Sequence, residues 1–263
     1  MPWGDHHRVE CHEEHEMRSV KTAFQILDAV ADHQPAGLSE LARRLQLPKA
    51  TVQRSLAVLA EVGWIKPDGQ NSSRWVLSDR PRILAQRVGD YARLRDAALP
   101  SLARLHAETL ETIHLTVPHD REVVLIERID SIHPVRAVRP IGTRLPLHAS
   151  SNGKVILAHL PEEEIQAFLA QGLSSPARNT KTDPHVLAVE LKLVRERGYA
   201  VADEEASDGV ASVAGAIRPG GGRPVAAMSI SGPVSRVRPD IYQLYGEKVK
   251  AAAEAVSQEL ASW

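Results

Sequence analysis

Between Ala23 and Leu59 the apolar residues fall into three helical stripes interrupted at two places, a pattern that admits few folds. Ala23, Ile26, Leu27 and Val30 stand at i, i+3, i+4 and i+7, one face of a helix running from Arg18 to His33. Pro35, Ala36 and Gly37 stop it. Ser39 then stands where an N-cap belongs, and Leu41, Ala42 and Leu45 mark a second helix of about two turns. After Gln46 and Leu47, Pro48 suits a first helical turn, and Val52, Leu56 and Leu59 form a third stripe that ends at Gly63. Trp64–Lys66 and Arg74–Leu77, on either side of a polar stretch holding Asp68-Gly69, predict a hairpin. Helix, short helix, tight turn, helix and hairpin is the order of a winged helix-turn-helix.

The third helix opens Pro48-Lys49-Ala50-Thr51-Val52-Gln53-Arg54. With Val52, Leu56 and Leu59 facing the core, Lys49, Thr51, Gln53 and Arg54 project outward, where the first turns of a recognition helix meet base edges. Gln pairs bidentately with adenine, Arg or Lys with guanine, and a Thr methyl meets the thymine methyl. Ser55 suits a phosphate, and Ser39 and the hairpin's Arg74 complete the candidate DNA-binding set. Charge agrees with that placement. The whole chain carries −1, yet residues 18–80 hold nine positive against six negative side chains, while residues 1–17 hold one against five. One such module covers only about 600–1,000 Å² of surface, so a dimer on double-stranded, pseudo-palindromic operator DNA is expected.

From Pro81 to about Leu94 an amphipathic stretch reads as a linker helix, assigned to residues 81–96; residues 97–263 form a second domain. Ala98, Leu102, Leu105 and Thr109 predict a helix, and Ile113–Val117 and Val123–Ile129 predict strands turning at His119-Asp120. Helices follow at 155–160, 165–169 and 186–197. A strand pair at 209–217 and 225–231 turns at Pro219–Gly222, and a closing helix spans 241–260. Hairpin-joined strands with helices between them predict an antiparallel sheet covered by helices, so the fold class is two-domain α+β. A composition of 43% hydrophobic and 25% charged residues excludes a disordered chain. No run approaches the roughly 18 apolar residues of a membrane span, and the acidic, His-rich start lacks the features of a signal peptide. A cytoplasmic protein without membrane partners is expected. Cys11 stands alone, which rules out an intramolecular disulfide.

Several of these stretches resemble the IclR-type transcriptional regulators. Residues 18–65 are similar to the family's winged helix, and "LPLHASSNGKVILA" (145–158) to the hallmark of its effector domain. "RERGYAVADEEASDGVASVAGAI" (195–217) and "AAMSISGP" (226–233) match its later elements in order and spacing. The resemblance covers residues 18–260. It implies a C-terminal GAF-like α/β domain that binds a small organic effector, a homodimer or homotetramer, and promoter binding altered by the effector. The implied pocket holds Ser151, Asn152 and Gly153, then Ser212, Ser229 and Ser231, with His133, Pro134 and Ala137 on the facing loop and strand. Backbone N–H groups at Ser151, Asn152 and Gly153 would open a helix, a favourable place for a carboxylate. The chain departs from the family's pattern at Ala202, where small-acid binders carry aspartate, and at Ser212, where cysteine is common. A pocket of hydroxyls suits a carboxylate or a hydroxylated aromatic acid.

Other motifs have plainer readings. Ser151 and Lys154 form S-x-x-K, the nucleophile pair of penicillin-binding enzymes, but no K-T-G follows and Ser207-Asp208-Gly209 is not S-D-N. A serine hydrolase is the alternative, and no catalytic residue is expected. His6, His7, His12, His15 and Cys11 match no closed zinc motif, so residues 1–17 are expected to be a flexible acidic tail without metal. The Pro219–Gly222 loop lacks the Lys-Ser/Thr of a phosphate-binding loop and reads as a hairpin turn. Asp203, Glu204 and Glu205 read as solvated or salt-bridged acids, and His114 and His148 as satisfied interior or pocket-edge residues. No cofactor is expected.

Overall fold

The computed structural model describes residues 6–87 and 89–262, with side chains over 19–84 and 91–262. Its contacts divide the chain into two units at Gly89/Asp90.

In the first unit α1 (His6–His33), α2 (Leu38–Arg44) and α3 (Lys49–Glu61) enclose a core of Ile26, Val30, Leu41, Val52, Leu56 and Ile65, the residues their periodicity turned inward. Gly63, in the left-handed region at φ +79, reverses the chain behind α3. The wing is β2 (Ile65–Pro67) and β3 (Arg74–Leu77), and α4 (Arg80–Arg87) follows. The loop between them is set by Asn71, whose Oδ1 accepts from Ser73 N at 3.1 Å and Ser73 Oγ at 2.6 Å.

Three details depart from expectation. A two-residue strand β1 (Ala36–Gly37) pairs with β3, so the sheet order is β1-β3-β2. That pairing brings the chain straight into α2, which makes Gly37 the N-cap; Ser39 is an exposed first-turn residue and caps nothing. The first helix begins at His6, not Arg18, so the tail expected over 1–17 falls partly on α1. Residues 1–5 lie outside the described residues, as do the side chains of the His/Cys group.

The second unit begins with α5 (Gly89–Thr109) and continues through β4 (Thr112–His119), β5 (Glu122–Ile129) and β6 (Arg144–Pro146). Next come α6 (Ser151–Leu157), α7 (Glu162–Leu169), α8 (Pro184–Arg197), β7 (Ala200–Asp203), β8 (Val210–Ile217), β9 (Ala226–Pro233) and α9 (Tyr242–Ala261). The six strands form one antiparallel sheet in the order β6-β5-β4-β9-β8-β7. Successive strand residues serve opposite cores: Val213 joins Leu102, Leu105, Val249 and Val256 from α5 and α9, whereas Ala214 joins Val155, Leu187 and Val194 from α6 and α8. The stretch expected as a linker helix over 81–96 is helical on both sides of residue 88, which lies outside the described residues. Leu94 and Ala97 are buried in the second unit's core, so the apolar face of α5 begins upstream of residue 97.

Candidate functional site

On α3 the buried faces of Val52, Leu56 and Leu59 leave Lys49, Gln53 and Arg54 exposed and Thr51 and Ser55 half-buried, as their spacing requires. The amide hydrogens of Thr51 and Val52 bond the Pro48 carbonyl at 2.9 and 3.1 Å, which fixes the helix start from which these side chains project. Arg74 is differently employed. Its Nε donates to Pro35 O at 2.7 Å and an Nη to Glu40 Oε2 at 2.9 Å, tying β3 to the start of α2. The exposed cation on the hairpin is Lys66, which sequence reading placed on the strand but not in the site.

In the second unit a small cavity lies between the start of α6, the β8 and β9 strands and the stretch joining β5 to β6. Its free volume is about 30 Å³, room for a water or two but not for an organic acid. Ala137, Ser151, Asn152, Ser212 and Ser231 line it, together with His114, Arg139, Leu145 and Ala202. Ser151 Oγ and Ser212 Oγ share a hydrogen bond of 2.7 Å, and Asn152 Nδ2 donates to Ser229 Oγ at 3.0 Å, which puts Ser229 one layer behind the wall. Gly153 is outside the cavity. Its N–H is capped by Ser150 Oγ at 3.1 Å, and a Cβ there would stand 2.2 Å from the Leu147 carbonyl oxygen, so the glycine serves close packing of α6 on that strand of backbone. His133 and Pro134 do not reach the wall: His133 N donates to Ser131 Oγ at 3.2 Å, and Pro134 is exposed.

Two groups that the sequence reading left out of the site dominate the cavity's electrostatics. Arg139 donates to Ser207 Oγ at 2.6 Å and has no carboxylate partner among the described residues; burial lowers its pKa. His114 shares a 3.2 Å hydrogen bond with Ser231 Oγ through Nδ1. Burial, followed by the charges of Arg139 and Arg128, pushes its pKa down to about 3, so it is neutral. Its Nε2, like Asn152 Oδ1, is buried without a partner among the described residues. His114 is therefore only half satisfied, unlike His148, whose Nε2 meets the Ser174 carbonyl at 2.7 Å. An unneutralised guanidinium beside an unpaired ring nitrogen and an unpaired amide oxygen is a site with unmet polar valence.

Behind α6 the completely buried Lys154 donates to Glu190 Oε1 at 2.8 Å and to both Glu205 oxygens at 2.8 and 2.9 Å, and Lys181 joins the same two acids. Burial alone would raise the Glu190 pKa, but the two lysines more than offset it and hold it low. Lys154 is thus bonded to carboxylates and makes no hydrogen bond to Ser151 among the described residues, so the S-x-x-K pair lacks the contact a nucleophile needs with its base. No group of three or more His, Cys, Asp or Glu side chains is placed to hold a metal among the described residues. No described helix is long and apolar enough to cross a membrane.

A winged helix joined to a separate α/β unit with a polar cavity is the architecture of a one-component transcriptional regulator. The profile of the IclR helix-turn-helix domain matches residues 19–69, and that of the bacterial transcriptional regulator IclR C-terminal region matches residues 86–258. The chain belongs to the IclR family of DNA-binding transcriptional regulators. It is 31% identical over 246 residues to the transcriptional repressor IclR of Escherichia coli K12, covering 92% of this chain and 89% of the relative. It is 35% identical over 230 residues to the HTH-type transcriptional repressor AllR of the same strain, covering 86% and 83%. An IclR homologue from Microbacterium hydrocarbonoxydans, solved with 4-hydroxybenzoate, superposes with a TM-score of 0.78 at 26% identity, covering 93% of this chain and all of that one.

Proposed function

We propose that this regulator reads double-stranded operator DNA with residues 18–80, as a homodimer or homotetramer in the cytoplasm, and releases or retains it in response to a small hydroxylated carboxylic acid bound within residues 97–263. Lys49, Gln53 and Arg54 meet base edges, Thr51 the thymine methyl and Ser55 a phosphate, and Lys66 adds the wing's backbone contact that Arg74, held by Glu40, does not supply. The protein acts by binding, not by turnover.

The observation that carries the effector assignment is the unneutralised Arg139 in the cavity wall. A carboxylate pairs with it in low dielectric. His114 Nε2 and Asn152 Oδ1 then take a second polar group, and a hydroxyl, which donates and accepts, serves both. The homologue holding 4-hydroxybenzoate combines the same two groups in its ligand. At about 30 Å³ the cavity must open to admit such an acid. The wall with least regular structure is the 130–143 stretch, which carries Arg139 and Ala137 inward and Ile132, Val135, Val138 and Ile141 outward. An acid that binds the opened arrangement better than the closed one shifts the population, and that difference in affinity sets the DNA response.

The test is fluorescence anisotropy of the full chain on its own upstream intergenic duplex and on a scrambled duplex, at fixed salt, with a panel of aliphatic and aromatic acids. Specific binding that shifts with one hydroxylated acid is expected. Arg54→Ala should weaken operator binding, Gln53→Ala should relax base preference, and Arg139→Gln should abolish the acid response while leaving operator affinity intact. Binding no tighter than to the scrambled duplex at several salt concentrations would refute the operator reading, and an undiminished acid response in Arg139→Gln would refute the effector reading.

A further inference from the structure

We propose that a basic cleft at the turn end of β8 and β9 binds the phosphate group of a small phosphorylated metabolite, at a site distinct from the effector cavity and independent of the effector assignment. Five residues of β8, 213–217, separate Ser212, in the cavity wall, from Arg218 in the cleft, about 20 Å of extended chain. Its cations are Arg195, Arg218 and Lys250, and His159 stands between them just past the end of α6.

Each cation is held in place by something other than an acid. Arg195 Nε donates to Ala158 O at 2.5 Å and an Nη to Leu160 O at 3.2 Å, so it caps the carbonyl end of α6. Arg218 Nε donates to Gly222 O at 2.9 Å and an Nη to Gly221 O at 2.5 Å, across a turn that Gly220 and Gly221 make in the left-handed region. In each guanidinium the remaining Nη has no protein partner among the described residues. The Lys250 stem lies across Gly198, where a Cβ would come within 2.9 Å of its Cε and 3.3 Å of its Nζ. Its ammonium therefore sits at the carbonyl end of α8.

None of the three forms an ion pair among the described residues, whereas neighbouring Arg223 is taken by Glu164 at 2.7 and 2.8 Å. Glu196 and Glu254 share the cleft, so three cations face two acids and the surplus is positive. His159 Nδ1 donates to Val155 O at 2.8 Å, which fixes the tautomer and leaves Nε2 bare. Burial, then the Arg218 and Arg195 charges, hold its pKa below the ordinary imidazole range against the effect of that bond, so both guanidinium charges are felt at the ring.

The chemistry selects phosphate over carboxylate. Two guanidiniums with open Nη edges and an ammonium offer donors from several directions, which a tetrahedral dianion fills and a planar monoanion does not. The guanidiniums are already immobilised by carbonyls, so little side-chain entropy is lost on binding.

The experiment is calorimetric and 31P NMR titration of the full chain with inorganic phosphate, and with malonate as a dicarboxylate of equal charge, at constant ionic strength. One saturable phosphate per chain is expected. Binding should weaken at least tenfold in Arg218→Gln and in Lys250→Gln, stay unchanged in Arg223→Gln, and exceed that of malonate. Lys250→Gln keeps the test decisive should Arg218→Gln disturb the turn. Absent phosphate binding at millimolar concentration, equal binding by all variants, or malonate binding as tight as phosphate would each overturn the assignment. Loss of duplex affinity in Arg218→Gln with no phosphate effect would overturn it too, by giving the cleft to the DNA backbone.

Discussion

Replacing Lys154 with methionine tests whether the buried charges behind α6 hold the effector unit together. Lys154 is completely buried and donates three hydrogen bonds of 2.8–2.9 Å to Glu190 and Glu205. Methionine fills much of the same volume, so packing changes little and the electrostatic consequence dominates. Glu205, with a side chain 3% exposed, would keep Lys181 at 3.1 Å and the Asp203 amide at 3.4 Å, and the four-residue cluster would pass from neutral to a net negative charge. Removing one partner of a buried pair costs about 3–5 kcal/mol, because the other charge stays desolvated. At about 2–4 °C per kcal/mol for a unit of this size, the transition of the second unit should fall by roughly 6–20 °C in differential scanning calorimetry at neutral pH. The first unit's transition should not move. Adding Glu205→Gln to Lys154→Met leaves the Lys181–Glu190 pair at 2.8 Å and no orphan charge, so the double variant should recover most of the loss. A shift under about 2 °C in the single variant, or a double variant no more stable than the single one, would refute the reasoning.

Two further outcomes follow from single residues. Gly153→Ala places a methyl 2.2–2.6 Å from Leu147 backbone atoms, which cannot give as a side chain does; a loss of about 3 kcal/mol or more and loss of acid response are expected, and a variant within about 1 kcal/mol of wild type in urea unfolding would show that α6 can shift. His114 has a folded pKa of about 3, below its unfolded value near 6.5, so its contribution to stability is whole above about 6.5 and is lost as pH falls. At about 1.36 kcal/mol per unit this removes about 2 kcal/mol between pH 6.5 and 5, and His114→Asn should lose that much less over the same interval; equal pH slopes in the two proteins would count against a neutral, buried His114.

The helices of the first unit were legible because each shows its core face at 3.6-residue spacing: Ile26 and Val30, then Leu41, then Val52, Leu56 and Leu59, all buried. Strand β1 was not, since two residues are too few to alternate, and without it Ser39 looked like the cap that Gly37 provides. Arg74 likewise read as a wing cation because nothing local announces that Glu40, 34 residues earlier, holds it. The end of the linker was hard to place for a related reason. Residues 81–96 are evenly amphipathic, and nothing in that pattern announces that Leu94 is buried in the second unit's core.

The cavity shows where pattern reading stops. Its hydroxyls came from a family resemblance, while Arg139 lies in an irregular stretch with no period to expose it. The usable local signal was its i, i+2 relation to Ala137, which in extended chain puts both on one side. Residues 148–154, His-Ala-Ser-Ser-Asn-Gly-Lys, invert the usual rule: by hydropathy they belong in a solvated loop, yet all seven are buried. Burying them is tolerable only with partners supplied from β8, β9, the β7–β8 loop and α8, and Ser212, Ser229, Glu205 and Glu190 supply them. The segment's own sign of close packing is Gly153, the one residue there whose lack of a side chain lets α6 rest on the Leu147 backbone and bring Ser151 and Asn152 to the cavity wall. Asn152 Oδ1 stays unpaired there, so the burial is incomplete at the atom where a ligand hydroxyl would donate, and stability is conceded at the place where recognition needs it.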